Sequence, residues 1–143
     1  YRMTNMQAAI GLAQMEKLDE ILALRREQMD FYYRELSDIM WINLRKFANW
    51  CEPVHWMMTV TLSTNYSRDQ FLGYMENNGV DCRQMVNPVH HADHFKGQFN
   101  NSDFPNSESI SSQSIHLPCS TNLSYENIKF IMGVLKLEGK VLI

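Results

Sequence analysis

Residues 54–86 read "VHWMMTVTLSTNYSRDQFLGYMENNGVDCRQMV", and their punctuation sets the fold class. Val54–Leu62 is a nearly unbroken run of β-branched, aromatic and other apolar residues following Pro53, which predicts a buried strand. Ser67 supplies a helix cap for the segment from Arg68, and Asn77-Asn78-Gly79 ends that helix. A second strand is predicted over residues 79–86, running into Pro88. Downstream, the same reading predicts a polar loop over residues 90–104, a short helix over 106–114, a third short strand at "SIHLP" and a closing helix capped by Ser124. Upstream, apolar residues recur in three- and four-residue steps from Asn5 to about Ser37, predicting one long helix with room for a kink. Thr4 followed by Gln7 forms a capping box at its start. Ala8, Ala9, Gly11 and Ala13 imply close backbone packing, so this helix end is expected to be buried. The predicted class is α/β: a long N-terminal helix plus a roughly three-stranded sheet packed with helices. Strands separated by helices ordinarily pair in parallel, whereas a sheet this small also accommodates mixed or antiparallel order.

The 143 residues, 45% hydrophobic and 20% charged, suffice for one domain with its own core. A net charge of -3 and no basic face argue against a nucleic-acid partner. No apolar stretch approaches the ~20 residues that span a bilayer, so no membrane partner is expected. Cys51, Cys82 and Cys119 form no CxxC pair and are read as reduced thiols of a cytoplasmic protein.

Chemistry-bearing side chains concentrate in "RQMVNPVHHADHF", residues 83–95. His90 and His94 would share a helical face and, with Asp93, suggest a metal site, although the HExxH order is absent and no metal ligand is assigned. The same residues also suit an ordinary surface loop. In a third reading, Arg83 leaving a strand and His90 after a proline turn bind a phosphate or pyrophosphate. Arg2 beside a helix start is another phosphate candidate, or simply an arginine facing solvent. Cys119 would act as a nucleophile only with a base at hand, and His116 serves only if the strand persists through Pro118.

The segment "YRMTNMQAAIGLAQMEKLDEILALRRE" closely resembles the opening of the C-terminal part of the DegT/StrS family of pyridoxal-phosphate-dependent sugar aminotransferases. "HWMMTVTL" follows in order, then "NGVDCRQMVNPVH", similar to the family's Gly-Val-x-x-Arg strand and Pro-x-His turn. "LPCSTNLSYENIKFI" resembles its Leu-Pro-x-x-x-x-Leu-x-x-x-x-Ile close. The resemblance implies that residues 1–143 form the small C-terminal domain of a longer fold-type I aminotransferase. The cofactor lysine would lie outside this chain, because no lysine here stands in the family's Ser-x-x-x-Lys context. It further implies a homodimer in which Tyr1 and Arg2 pack near the partner subunit's cofactor phosphate, with His90 and Arg83 binding a nucleotide-sugar substrate. The implied reaction moves an amino group from an amino acid, expected to be glutamate, onto a nucleotide-linked keto-deoxysugar for polysaccharide biosynthesis. The fragment alone would be inactive. Ala92-Asp93 replaces a frequent Gln-Pro, and Asn87 stands where an aromatic is common. A non-catalytic binding or assembly module that keeps the fold is the rival reading.

Overall fold

The computed structural model describes residues 2–141, with side chains through residue 137. Two helices, α1 (Asn5–Met15) and α2 (Leu18–Leu36), replace the single long one. Between them Lys17 N–H bonds the Gln14 carbonyl at 3.2 Å, a tightened i to i−3 turn that follows the last i to i−4 bond of α1, from Glu16 N–H to Leu12 O at 3.0 Å. The expected capping box is present: Thr4 Oγ1 accepts from Gln7 N–H at 3.3 Å, and the Gln7 amide oxygen accepts from Thr4 N–H at 2.9 Å. The burial expected of this helix start is not supplied within the chain, which buries no residue of α1.

The strands are β1 (Ile42–Leu44), β2 (Met58–Leu62), β3 (Arg83–Gln84) and β4 (Ser114–Leu117), in the order β1-β2-β4-β3. Every pairing is antiparallel, with Val60 opposite Ile115, Leu44 opposite Val60 and Arg83 opposite His116. There are thus four strands where about three were expected, and β2 and β3 are shorter than predicted. Residues 54–57 form a loop with Trp56 75% exposed, so their apolar character reflects a groove wall and not a strand.

Alternation along β2 and β4 divides the sheet into two faces. Met58, Val60, Leu62, Ile115 and Leu117 are buried in one core with Met29, Tyr32 and Leu36 of α2 and with α3 (Arg68–Asn77) and α5 (Tyr125–Val141). Phe71 and Met75 enter that core from α3, and Ile128, Ile131 and Leu135 from α5. Thr59, Thr61, Ser114 and His116 occupy the alternate positions and pair across the strands by side-chain hydrogen bonds of 2.9 Å and 2.8 Å. The helix α4 (Pro105–Gln113) borders this second face.

Helix ends follow their sequence signals. Ser67 Oγ accepts from Gln70 N–H at 3.4 Å, and Ser124 Oγ accepts from Asn127 N–H at 3.2 Å. At the end of α3, Gly79 N–H bonds Glu76 O and Val80 N–H bonds Met75 O, both at 2.9 Å, with Gly79 at φ 78. This is the paired hydrogen bonding of a Schellman ending, sealed by burial of Val80 and Met75. A Cβ at Gly79 meets no atom within 4 Å, so backbone strain alone opposes substitution. Gly79→Ala is expected to cost about 1 kcal/mol in urea unfolding, whereas Gly73→Ala inside α3 gains up to about 1 kcal/mol. Equal effects at both positions would refute the left-handed ending.

Candidate functional site

Three places on the molecule carry candidate chemistry. The first is the sheet face away from the core, where a groove of about 950 Å³ is lined by Tyr33, Phe47, His55, Trp56, Thr59 and His116, among others. Its size suits a small-molecule pocket. His55 sits between the rings of Tyr33 and Phe47, with centroids at 6.1 Å and 5.6 Å. Burial holds His55 below its ordinary pKa, against the opposing pull of Asp30. His116 Nδ1 meets Thr59 Oγ1 at 2.9 Å, and burial likewise lowers its pKa. The sequence reading weighs His116 only as a partner for Cys119, and Phe47 and His55 escape it as site residues because residues 45–57 hold no periodic signal.

A stability slope follows from His116. Its folded pKa lies below the ordinary 6.5, so the unfolded chain takes up this proton first as pH falls. The contribution of His116 is therefore complete above about 6.5 and declines as pH drops toward the lowered folded value. Urea midpoints measured from pH 7.5 down to 5 should fall more steeply for the wild type than for His116→Asn. Parallel curves would refute the assignment.

The second place is Arg83 on the edge strand β3. Its side chain is 73% exposed and pairs with equally exposed Asp81 at 3.1 Å. It borders an open cleft of about 490 Å³ shared with Pro118, Ser120 and Asn127. The third is the turn Val89–His91, in 3₁₀ conformation, followed by a second such turn over Asp93–Phe95. His90 Nε2 lies 2.7 Å and His91 Nε2 2.6 Å from the same oxygen of Glu108 on α4. Burial acts to raise the Glu108 pKa, but hydrogen bonds from His90 and His91 hold it below the usual range.

The sequence-derived candidates therefore separate. Arg83 borders the cleft with Pro118, whereas the His90 ring, 8% exposed, is engaged by Glu108 and stacked on Phe104. Asp93 pairs with Lys96 and His94 packs on Phe95, so neither joins His90 in a metal site. Glu108 was not singled out, since its partnership spans residues 90 to 108 through tertiary packing alone. Arg2 is exposed and makes no ion pair among the described residues, and Tyr1 lies outside them. The Cys119 thiol sits 3.6 Å from the Trp56 carbonyl while His116 is committed to Thr59, so no Cys-His dyad forms. Burial, with Asp81 adding, pushes Cys82 up to about 12, which keeps that thiol protonated.

Comparison with known proteins is decisive at the level of family. The sequence model of the DegT/DnrJ/EryC1/StrS aminotransferases matches residues 1–136. This chain belongs to that family. GDP-perosamine synthase of Vibrio cholerae is 30% identical over 138 residues, covering 95% of the chain and 37% of the relative. GDP-perosamine synthase of Escherichia coli O157:H7 is 28% identical over 131 residues, covering 92% and 35%. The chain thus spans a little over a third of these curated relatives. Among solved structures, S. venezuelae DesV superimposes with a TM-score of 0.89 at 23% identity, covering 97% of this chain and 37% of DesV. The sugar aminotransferase CalS13 from Micromonospora echinospora gives 0.84 at 22% identity, covering 96% and 36%. At that identity the superpositions establish the fold. Family membership matches the resemblance read from the sequence. No helix among the described residues is long and apolar enough to cross a membrane.

Proposed function

We propose that this chain is the small C-terminal domain of a nucleotide-sugar aminotransferase of the perosamine-synthase type, acting as a cytoplasmic homodimer. The observation that carries this reading is the family match over residues 1–136, joined to relatives named for GDP-perosamine synthesis. The proposed reaction moves the amino group of glutamate onto a keto carbon of a nucleotide-linked deoxysugar. Arg83 would anchor the anionic side of the nucleotide. His90 would act indirectly, fixing the 88–91 turn against α4 through Glu108.

The cofactor of this reading is pyridoxal phosphate, which supplies the electron sink for moving the amino group. The residues present suit only its periphery. Arg2, exposed and beside the Thr4-capped start of α1, fits a phosphate contact reaching a partner subunit. Every lysine whose side chain is described is exposed, and Lys96, Lys129 and Lys136 are paired with carboxylates. None lines the grooves described above. We take the covalent lysine to lie in a part of the protein outside this chain, so that the isolated chain should not transaminate.

The test is to express the reading frame with the region upstream of Tyr1 and to record visible absorption before and after borohydride reduction. A cofactor band that reduction abolishes, together with glutamate-dependent formation of an amino sugar nucleotide, supports the enzyme. No band despite added pyridoxal phosphate would favour a non-catalytic module. Turnover by residues 1–143 alone would overturn the assignment of the lysine.

A further inference from the structure

We propose that His90, His91 and Glu108 form a binding site for one divalent transition-metal ion of the zinc class. Their candidate ligand atoms all lie within 4.8 Å of one another, and this is the one such group of three among the described residues. Both imidazole Nε2 atoms converge on the single oxygen Oε1 of Glu108, at 2.7 Å and 2.6 Å. The other carboxylate oxygen takes no hydrogen bond among the described residues. A simple tether between the turn and α4 needs one histidine. Two imidazole nitrogens and a carboxylate oxygen brought this close make a donor set of the kind that holds zinc.

The adjustment needed to admit an ion is small. Tetrahedral zinc with ligand bonds of about 2.0–2.1 Å holds neighbouring ligand atoms about 3.3 Å apart. Each nitrogen-to-oxygen separation must therefore widen by about 0.6 Å to admit the ion. The donors also select the metal: two imidazoles and one carboxylate suit zinc, cobalt, nickel or copper, whereas magnesium and calcium prefer all-oxygen sets.

The surroundings hold the ligands in place. Pro88 precedes the 3₁₀ turn that carries both histidines, and Ala92 N–H closes it onto Val89 O at 3.1 Å. The two rings meet edge to face at 4.6 Å, and Phe104 stacks on His90 at 4.6 Å. Phe104 immediately precedes α4, and its carbonyl accepts from Glu108 N–H, so one residue supports a histidine and fixes the turn bearing the carboxylate. Phe99 packs on Phe104 and Phe95 on Phe99, forming an aromatic wall on one side. His91 and Glu108 remain 35% and 28% exposed, leaving the opposite side open for water as a fourth ligand.

This inference is independent of the aminotransferase reading, because its readout is the metal itself. Untagged full-length protein is stripped with a chelator, dialysed against zinc and assayed for bound metal, then titrated with cobalt while ligand-field absorption is recorded. The expected result is one zinc per chain above the stripped control, with cobalt bands of tetrahedral intensity lacking thiolate charge transfer. Glu108→Gln and His91→Gln should each weaken binding at least about tenfold, and His94→Gln should leave it unchanged. If Glu108→Gln fails to fold, His91→Gln carries the test from a partly exposed position. Substoichiometric zinc, or affinity unaltered in the folded variants, would overturn the proposal.

Discussion

Tyr32→Ala will lower the free energy of unfolding by about 4 kcal/mol, a large share of the 5–15 kcal/mol typical of folded domains. Tyr32 is fully buried on α2, and its hydroxyl donates to the Pro118 carbonyl at 2.8 Å. It belongs to a row on α2 that holds the segment after β4. Arg25 donates to the carbonyls of Trp56 and Cys119, and Gln28 donates to those of Ser120 and Leu123, each at 3.0 Å. Spacings of three and four residues place Arg25, Gln28 and Tyr32 along one side of the helix. Burial drives the Tyr32 pKa upward, so the hydroxyl remains a donor across the working pH range.

The conservative variant separates the two contributions. Tyr32→Phe keeps the ring and leaves the Pro118 carbonyl without its partner, at a cost of about 1–2 kcal/mol. The remainder of the alanine effect is lost packing and the cavity left beside Leu36 and Leu117. Chemical denaturation of both variants, read by circular dichroism and tryptophan fluorescence, measures each cost. Should Phe prove as damaging as Ala, the hydrogen bond and not the ring would dominate; should Ala cost under about 1 kcal/mol, the packing assignment fails.

What was legible in advance depended on how local the signal was. Thr4 with Gln7, Ser67, Ser124 and Gly79 each act within a few residues, and all four work as their sequence context predicts. Ile42–Leu44 is too short for a period-two pattern, and it becomes a strand because Leu62 and Val60 offer it an edge. The antiparallel order arises from long connections whose geometry no dipeptide specifies. The motif histidines were visible as residues, but Glu108, the group that organises two of them, reaches His90 across 18 positions. The exposed start of α1 shows the converse: Ala8, Ala9 and Gly11 encode close packing that this chain alone does not provide. Met6, Ile10 and Met15 are exposed on the same helix.

If Arg83 anchors the nucleotide as proposed, Arg83→Ala in the full-length protein should raise KM for the nucleotide sugar about 10–100-fold and leave kcat within about twofold. The position suits the proposed contact with an external anion. Arg83 lies on an edge strand, and its pair with Asp81 is exposed on both sides, an interaction worth at most about 1 kcal/mol. A bound phosphate offers a guanidinium two parallel charged hydrogen bonds, and hydrogen bonds to charged groups contribute roughly 1.5–3 kcal/mol, so substrate readily outcompetes Asp81. In the proposed reading the contact falls on a part of the substrate that does not react, so its loss weakens ground state and transition state alike, and the change belongs in KM. Arg83→Lys should fall between the wild type and alanine, since the ammonium keeps the charge and loses the fork. The amino donor provides the internal control: its KM should not move. Thermal stability of Arg83→Ala should match the wild type, and a variant with intact fold and unchanged nucleotide-sugar KM would remove Arg83 from the site.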